Sequence, residues 1–104
     1  MSEPVVIVEQ DGPVLTVTLN RPEKRNAINS EVMCHLYDAW VRLDTDDDLR
    51  VAILTGNGST FCAGMDLSEI GKLSTGKADN EYMERVMTDP NIIYGAWLKT
   101  YRPT

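Results

Sequence analysis

The sequence predicts an α/β domain, and three observations carry that prediction. Two β-rich runs, residues 5–10 and 14–19, flank the turn residues Asp11, Gly12 and Pro13. An amphipathic helical pattern follows from Ser30 to about Leu43. An unbroken apolar run, RVAILTG over residues 50–56, comes next. Strand, helix and strand over this length imply two parallel strands joined by a right-handed crossover.

The two first runs form a hairpin, because a Gly-Pro turn separates them. The second alternates, with Leu15, Val17 and Leu19 on one face and Val14, Thr16 and Thr18 on the other. Asn20-Arg21-Pro22 ends it, since Pro22 has no N–H to give to a ladder. A polar, basic loop follows, Glu23-Lys24-Arg25-Asn26. Ser30 is an N-cap residue type, and Val32, Met33, Leu36, Ala39, Trp40 and Leu43 fall on one helical face. Asp38 and Arg42 are spaced as an i,i+4 ion pair on the other face. The acid run Asp44, Asp46, Asp47, Asp48 opposes the helix dipole, so the helix should end before most of it. RVAILTG reads as a strand covered on both faces. Asp66 starts a short helix to about residue 73, residues 74–80 are a linker, and helices follow over residues 81–88 and 91–101.

At 104 residues the chain is one domain at most. A chain of this size buries roughly 65% of its unfolded surface, so its core is modest. Its net charge of −6 argues against a nucleic-acid or anionic-membrane surface. No run approaches the ~20 apolar residues of a membrane span, and the first residues carry no signal-peptide pattern. A cytoplasmic protein is expected. Cys34 and Cys62 read as buried, reduced thiols.

Several motifs fail on inspection. Asp44, Asp46 and Asp48 imitate a calcium loop, but its sixth and twelfth positions hold Leu49 and Thr55. Residues 71–77 have phosphate-loop spacing, yet Ala78 stands where a hydroxyl is needed and no strand precedes the loop. His35, the single histidine, sits on a polar helix face near Glu31 with no second ligand or nucleophile. No metal site is expected. Asn57-Gly58-Ser59 is a glycosylation sequon without a secretory context.

The stretch Phe61-Cys62-Ala63-Gly64-Met65-Asp66-Leu67 is different. Asp66 is an N-cap, Glu69 completes a capping-box pattern, and Met65 and Ile70 are placed for a hydrophobic staple. Ala63 and Gly64 leave the backbone just upstream open to a ligand. Unpaired N–H groups at a helix start can hold a negative oxygen, which is what an oxyanion hole requires.

Arg21-Pro22-x-x-Arg25-Asn26-Ala27-Ile28 followed by this second motif resembles the crotonase family of enoyl-CoA hydratases and isomerases. The resemblance implies the N-terminal part of a crotonase-like (ClpP/crotonase) fold, a repeated ββα spiral core left incomplete in this chain. It implies acyl-CoA thioester substrates and an enolate held by two backbone N–H groups, the first that of Met65. Coenzyme A enters as part of the substrate, with no separate cofactor. By position, Lys24, Arg25 and Ala27 line the CoA pocket opposite Ala63, Gly64, Met65, Asp66 and Leu67. Lys24 and Arg25 suit phosphates, and Ala27 is small enough for a planar base to approach. Family members are over twice this length. Their second oxyanion donor and their acid/base glutamates would fall beyond residue 104, as would the helices through which they form trimers or hexamers. The expectation is an N-terminal portion of such an enzyme, inactive alone. The alternative is a non-catalytic CoA-binding or interaction module.

Overall fold

The computed structural model describes residues 3–68, 80–89 and 91–92. Strand β1 (Val6–Asp11) pairs antiparallel with β2 (Val14–Leu19), in the register Val6↔Leu19, Val8↔Val17 and Gln10↔Leu15. Gly12 takes φ +58 in the two-residue turn, a conformation glycine adopts without a Cβ penalty. Strand β3 (Val51–Gly56) pairs parallel with β2, Leu15↔Ala52 and Val17↔Leu54. The sheet order among the described residues is β1-β2-β3.

Helix α1 (Ser30–Thr45) makes the crossover between β2 and β3. It buries Val32, Met33, Leu36, Ala39 and Trp40 against Val6, Leu15, Val17 and Leu19 of the sheet. These side chains are the core, and helix stability here comes from that packing more than from propensity. Helix α2 (Glu81–Thr88) lies against α1, burying Met83 and Val86. Asn80 caps it, its side chain accepting from the Met83 N–H at 2.9 Å.

The structure corrects several local expectations. Asn29, not Ser30, is the N-cap of α1: its side-chain oxygen accepts from Val32 N–H at 2.9 Å, and Ser30 is the first helical residue. Both residue types cap well, but the longer Asn side chain reaches the third N–H from one position earlier. The helix runs two residues past Leu43 and ends at the acid run as expected, with Asp46 as C-cap and its carboxylate accepting from Asp48 N–H at 2.9 Å.

The Asp38–Arg42 pair does not form. Asp38 instead receives a two-pronged contact from Arg85 of α2, at 2.6 and 3.1 Å, while Arg42 donates to Gln10 at 2.6 Å. A guanidinium fork on a carboxylate outcompetes a single i,i+4 contact. That contact also raises Arg85 above the ordinary arginine value.

Among the described residues, none covers one face of strand β3. Ala52 and Leu54 turn toward the core, whereas Val51 and Ile53 are 50% and 51% exposed. The apolar run promised cover on both sides, and the described residues supply it on one. Arg50 stays outside the strand, its N–H bonded to Pro13 O at 2.8 Å. Cys34 is buried, and burial pushes its thiol up; Cys62 is only half-buried. His35 lies 3.6 Å from Glu31, with its ring tilted against that of Tyr82 at 5.5 Å between centroids, as a partly exposed histidine would. Glu69, Ile70, the phosphate-loop spacing at 71–77 and the end of the last expected helix lie outside the described residues.

Candidate functional site

The loop after β2 opens with a 3-10 turn, Pro22–Lys24, in which Pro22 sits at the start where its missing N–H costs nothing. Arg25 and Asn26 then both adopt left-handed φ, +53 and +57. Two such residues in succession reverse the chain, and Asn tolerates the conformation better than most. The reversal lays residues 25–28 alongside residues 63–66.

Three backbone hydrogen bonds join these segments: Ala63 N–H to Arg25 O at 3.0 Å, Ile28 N–H to Gly64 O at 2.8 Å, and Asp66 N–H to Ile28 O at 2.8 Å. Ile28 and Met65 thereby form a parallel bridge. In that pattern the residue opposite Ile28 turns its own N–H and C=O away from it. The Met65 N–H accordingly points outward and has no partner among the described residues. Gly64 makes the turn with φ +99, a value a side chain would strain; a Cβ there would meet nothing within 4 Å. The glycine is required by conformation, and it also leaves the approach to Met65 open.

Asp66 caps the helix that begins at Leu67, as expected. Its Oδ1 accepts from Ser68 N–H at 3.0 Å and Ser68 Oγ–H at 2.7 Å. Its Oδ2 faces the Arg21 guanidinium at 3.4 Å. The Ser68 hydroxyl, with Arg21 adding to it, holds the Asp66 carboxyl below the usual carboxylate range. Stability from such a group is present above the unfolded value and lost as pH falls through the lower folded value. Asp66→Ala should therefore cost about 1 kcal/mol at neutral pH through loss of the cap. The difference from the parent should shrink as pH falls through that lowered folded value and vanish in acid once the carboxyl is protonated in both the folded and the unfolded chain. Urea unfolding at the two pH values checks this, and a cost undiminished in acid would contradict it.

The structure thus brings all the expected residues to one place. Lys24 and Arg25 are exposed at the loop tip, Ala27 is half-buried beneath them, and Ala63, Gly64, Met65, Asp66 and Leu67 run along the facing segment. Phe61 and Leu67, 54% and 82% exposed, add apolar surface beside the turn. A groove of about 550 Å³ opens elsewhere, between the end of α1 and β3, lined by Trp40, Leu43, Leu49 and Leu54 and by Asp44, Asp46 and Asp47. It contains none of these residues, and the carboxylates of Asp44, Asp46 and Asp47 along it do not suit a phosphate-bearing ligand.

Two side chains that build the site were named in the sequence as members of the first motif, with no role assigned. Arg21, besides facing Asp66, donates to Ala27 O at 2.6 Å and so ties the loop to the helix cap. Asn26, 1% exposed, satisfies four polar groups around itself: its Oδ1 accepts from Arg21 N–H at 2.8 Å, and its Nδ2 donates to Asn57 O at 2.9 Å and Thr60 O at 2.8 Å, while its backbone N–H reaches Arg21 O at 2.8 Å. Gly56 makes room for it, since a Cβ there would fall 2.8 Å from Asn26 Nδ2 and closer still to Phe61 O. The signal available in the sequence was an asparagine within a turn, which carries left-handed φ well.

Among the described residues no group of three metal-capable side chains converges, and no helix is long and apolar enough to cross a membrane.

Comparison with known proteins agrees with this architecture. Residues 9–94 match the family model described as enoyl-CoA hydratase/isomerase. The chain is 53% identical over 66 residues to the enoyl-CoA hydratase EchA19 of Mycobacterium tuberculosis, covering 64% of this chain and 25% of that protein. It is 43% identical over 79 residues to the mevalonyl-coenzyme A hydratase sidH of Aspergillus fumigatus, covering 76% and 27%. Among solved structures, EchA1_1 of Mycobacterium paratuberculosis superposes with a TM-score of 0.73 at 34% identity, covering 93% of this chain and 35% of that one. The fold is crotonase-like, and the chain belongs to the enoyl-CoA hydratase/isomerase family. It spans roughly a quarter to a third of the length of these relatives.

Proposed function

We propose that residues 21–28 and 61–67 form the coenzyme A end of an acyl-CoA site together with one donor of an oxyanion hole. The observation that carries this reading is the outward, unpartnered N–H of Met65, set at a helix cap beside the basic tip of Lys24 and Arg25. A thioester carbonyl placed against that N–H would gain negative charge as an enolate forms, and a preorganised donor stabilises the charge without reorganising. Phosphates would lie against Lys24 and Arg25, and a planar base against Ala27.

The relatives' names support a site defined by its CoA end. They include an enoyl-CoA hydratase, a mevalonyl-coenzyme A hydratase and a 1,2-epoxyphenylacetyl-CoA isomerase from Escherichia coli, 43% identical over 65 residues. Their acyl groups and reactions differ, while coenzyme A is common to all. The family resemblance implies that a second donor and the acid/base glutamates fall outside residues 1–104. The reading therefore assigns binding and polarisation, and no turnover, to residues 1–104 alone. A second reading, a CoA-binding or interaction module without catalysis, draws support from the bare Val51 and Ile53 face of β3.

Isothermal titration of the chain with coenzyme A tests the shared part. Binding should weaken by about tenfold in the double variant Lys24→Glu, Arg25→Glu, as expected when charge-assisted contacts to phosphate are reversed. Unchanged affinity in the folded double variant would place the phosphates elsewhere.

A further inference from the structure

We infer that the Asn57–Gly58 peptide is a site of spontaneous deamidation, and that the modification falls on a joint that fixes the loop carrying Lys24 and Arg25. In this reaction the Gly58 nitrogen loses its proton and attacks Cγ of Asn57. The Cγ–Nδ2 bond breaks, ammonia leaves, and a five-membered succinimide closes. Water then opens the ring at either carbonyl. The product at position 57 is an ordinary aspartate or an isoaspartyl linkage through the former side chain.

The structure favours attack here and disfavours it at the other described asparagines. Asn57 is exposed, and Gly58 offers a nitrogen with no side chain beside it and no hydrogen-bond partner among the described residues. The nitrogens following Asn20 and Asn91 are both engaged: Arg21 N–H donates to Asn26 Oδ1 at 2.8 Å, and Ile92 N–H to Asp89 O at 3.1 Å. Asn26 is buried, and the side chains of Asn29 and Asn80 are held in part-buried helix caps, whereas the one side-chain bond of the Asn57 amide, to Asn20, lies at the surface. Nor can the fold escape the reactive dipeptide by replacing its glycine. Gly58 has φ +88, and a Cβ there would stand 3.0 Å from the Pro22 side chain.

The consequence follows from what Asn57 holds. Its Nδ2 donates to Asn20 Oδ1 at 2.9 Å, and Asn20 cannot turn its amide round, because its Nδ2 already donates to Pro4 O at 2.9 Å. A carboxylate at position 57 would face that oxygen as acceptor against acceptor. The Asn57 carbonyl is also one of the two acceptors for the buried Asn26 amide. An isoaspartyl linkage reroutes the main chain through Cβ and Cγ and displaces that carbonyl.

The folded 104-residue chain, aged in mildly alkaline buffer and mapped by peptide mass spectrometry, should convert Asn57 ahead of every other asparagine. Its rate should lie within about tenfold of the rate for the same chain in urea, because the side-chain bond that must open before Cγ can meet the Gly58 nitrogen, Asn57 to Asn20, is exposed to water. The Asn57→Gln variant, whose ring would have six members, should release no ammonia from this position on the same timescale. Protection of Asn57 by more than about tenfold in the folded chain would overturn the assignment, since the loop would then be closed to the reaction. Asn57→Asp, the direct product, should unfold at lower urea than the parent at neutral pH. An unchanged midpoint would overturn the claim that the modification loosens the joint.

Discussion

Replacing Met65 with proline in a family enzyme that carries this segment is expected to lower turnover by about 100- to 1000-fold, while Met65→Leu leaves most of it. The group proposed to act is the backbone N–H of residue 65, which points away from Ile28 and has no partner among the described residues. Proline deletes that donor. Leucine keeps it, with a side chain of similar volume and apolarity. Proline also restricts the residue before it to extended conformations, and Gly64 sits at φ +99. The turn would therefore be disturbed along with the donor. An ester in place of the amide between residues 64 and 65 separates the two effects, because it removes the N–H with no ring. The ester should lose activity like proline while retaining coenzyme A binding. An ester variant as active as the parent, or a folded Met65→Leu variant as inactive as Met65→Pro, would remove the donor role from residue 65.

The elements that were legible in the sequence are those whose signal is local. β2 and α2 begin and end at the residues expected of them, 14–19 and 81–88. The Asp66 cap was legible for the same reason, because its hydrogen bonds go to a residue two positions away. The failures lie where a distant partner decides. Asp38 has Arg42 at helical spacing, but α2 brings in Arg85 with better fork geometry. The run of apolar residues in β3 marks a strand able to take cover on both faces, and says nothing about which segment provides it.

The site shows the same division. Residue types that suit phosphate or close backbone approach can be named from the motifs, so Lys24, Arg25, Ala63 and Gly64 were proposed from the sequence. What aligns them was not found. Arg21 and Asp66 are separated by 45 positions, and the Asn26 amide reaches carbonyls 31 and 34 positions away. No periodicity links such positions, and a polar side chain in a loop reads as solvated until its partners are seen.

Asn26 is consequently the position where a one-atom change should have the largest effect on stability. Asn26→Asp preserves volume, tolerance of the left-handed φ of +57, and an oxygen able to accept from Arg21 N–H at 2.8 Å. It replaces the Nδ2 amide, which donates at 2.9 and 2.8 Å, by an oxygen facing the Asn57 and Thr60 carbonyls. Two buried acceptors lose their donor and meet a third. Each orphaned group costs about 1–3 kcal/mol, so a loss of roughly 3 kcal/mol or more is expected. A domain of this size has only about 5–15 kcal/mol in all. Protonating the introduced carboxylate returns one donor, which can satisfy one carbonyl and not both, so stability should recover only partly as pH falls. Asn26→Ser, which carries no charge and leaves a space a water can enter, should cost less than Asn26→Asp at neutral pH. Urea midpoints for the parent and the two variants at neutral and acid pH decide the matter. If Asn26→Asp were as stable as the parent at neutral pH, the joint between the two segments would be held by the backbone ladder alone, and Asn26 would have no positioning role.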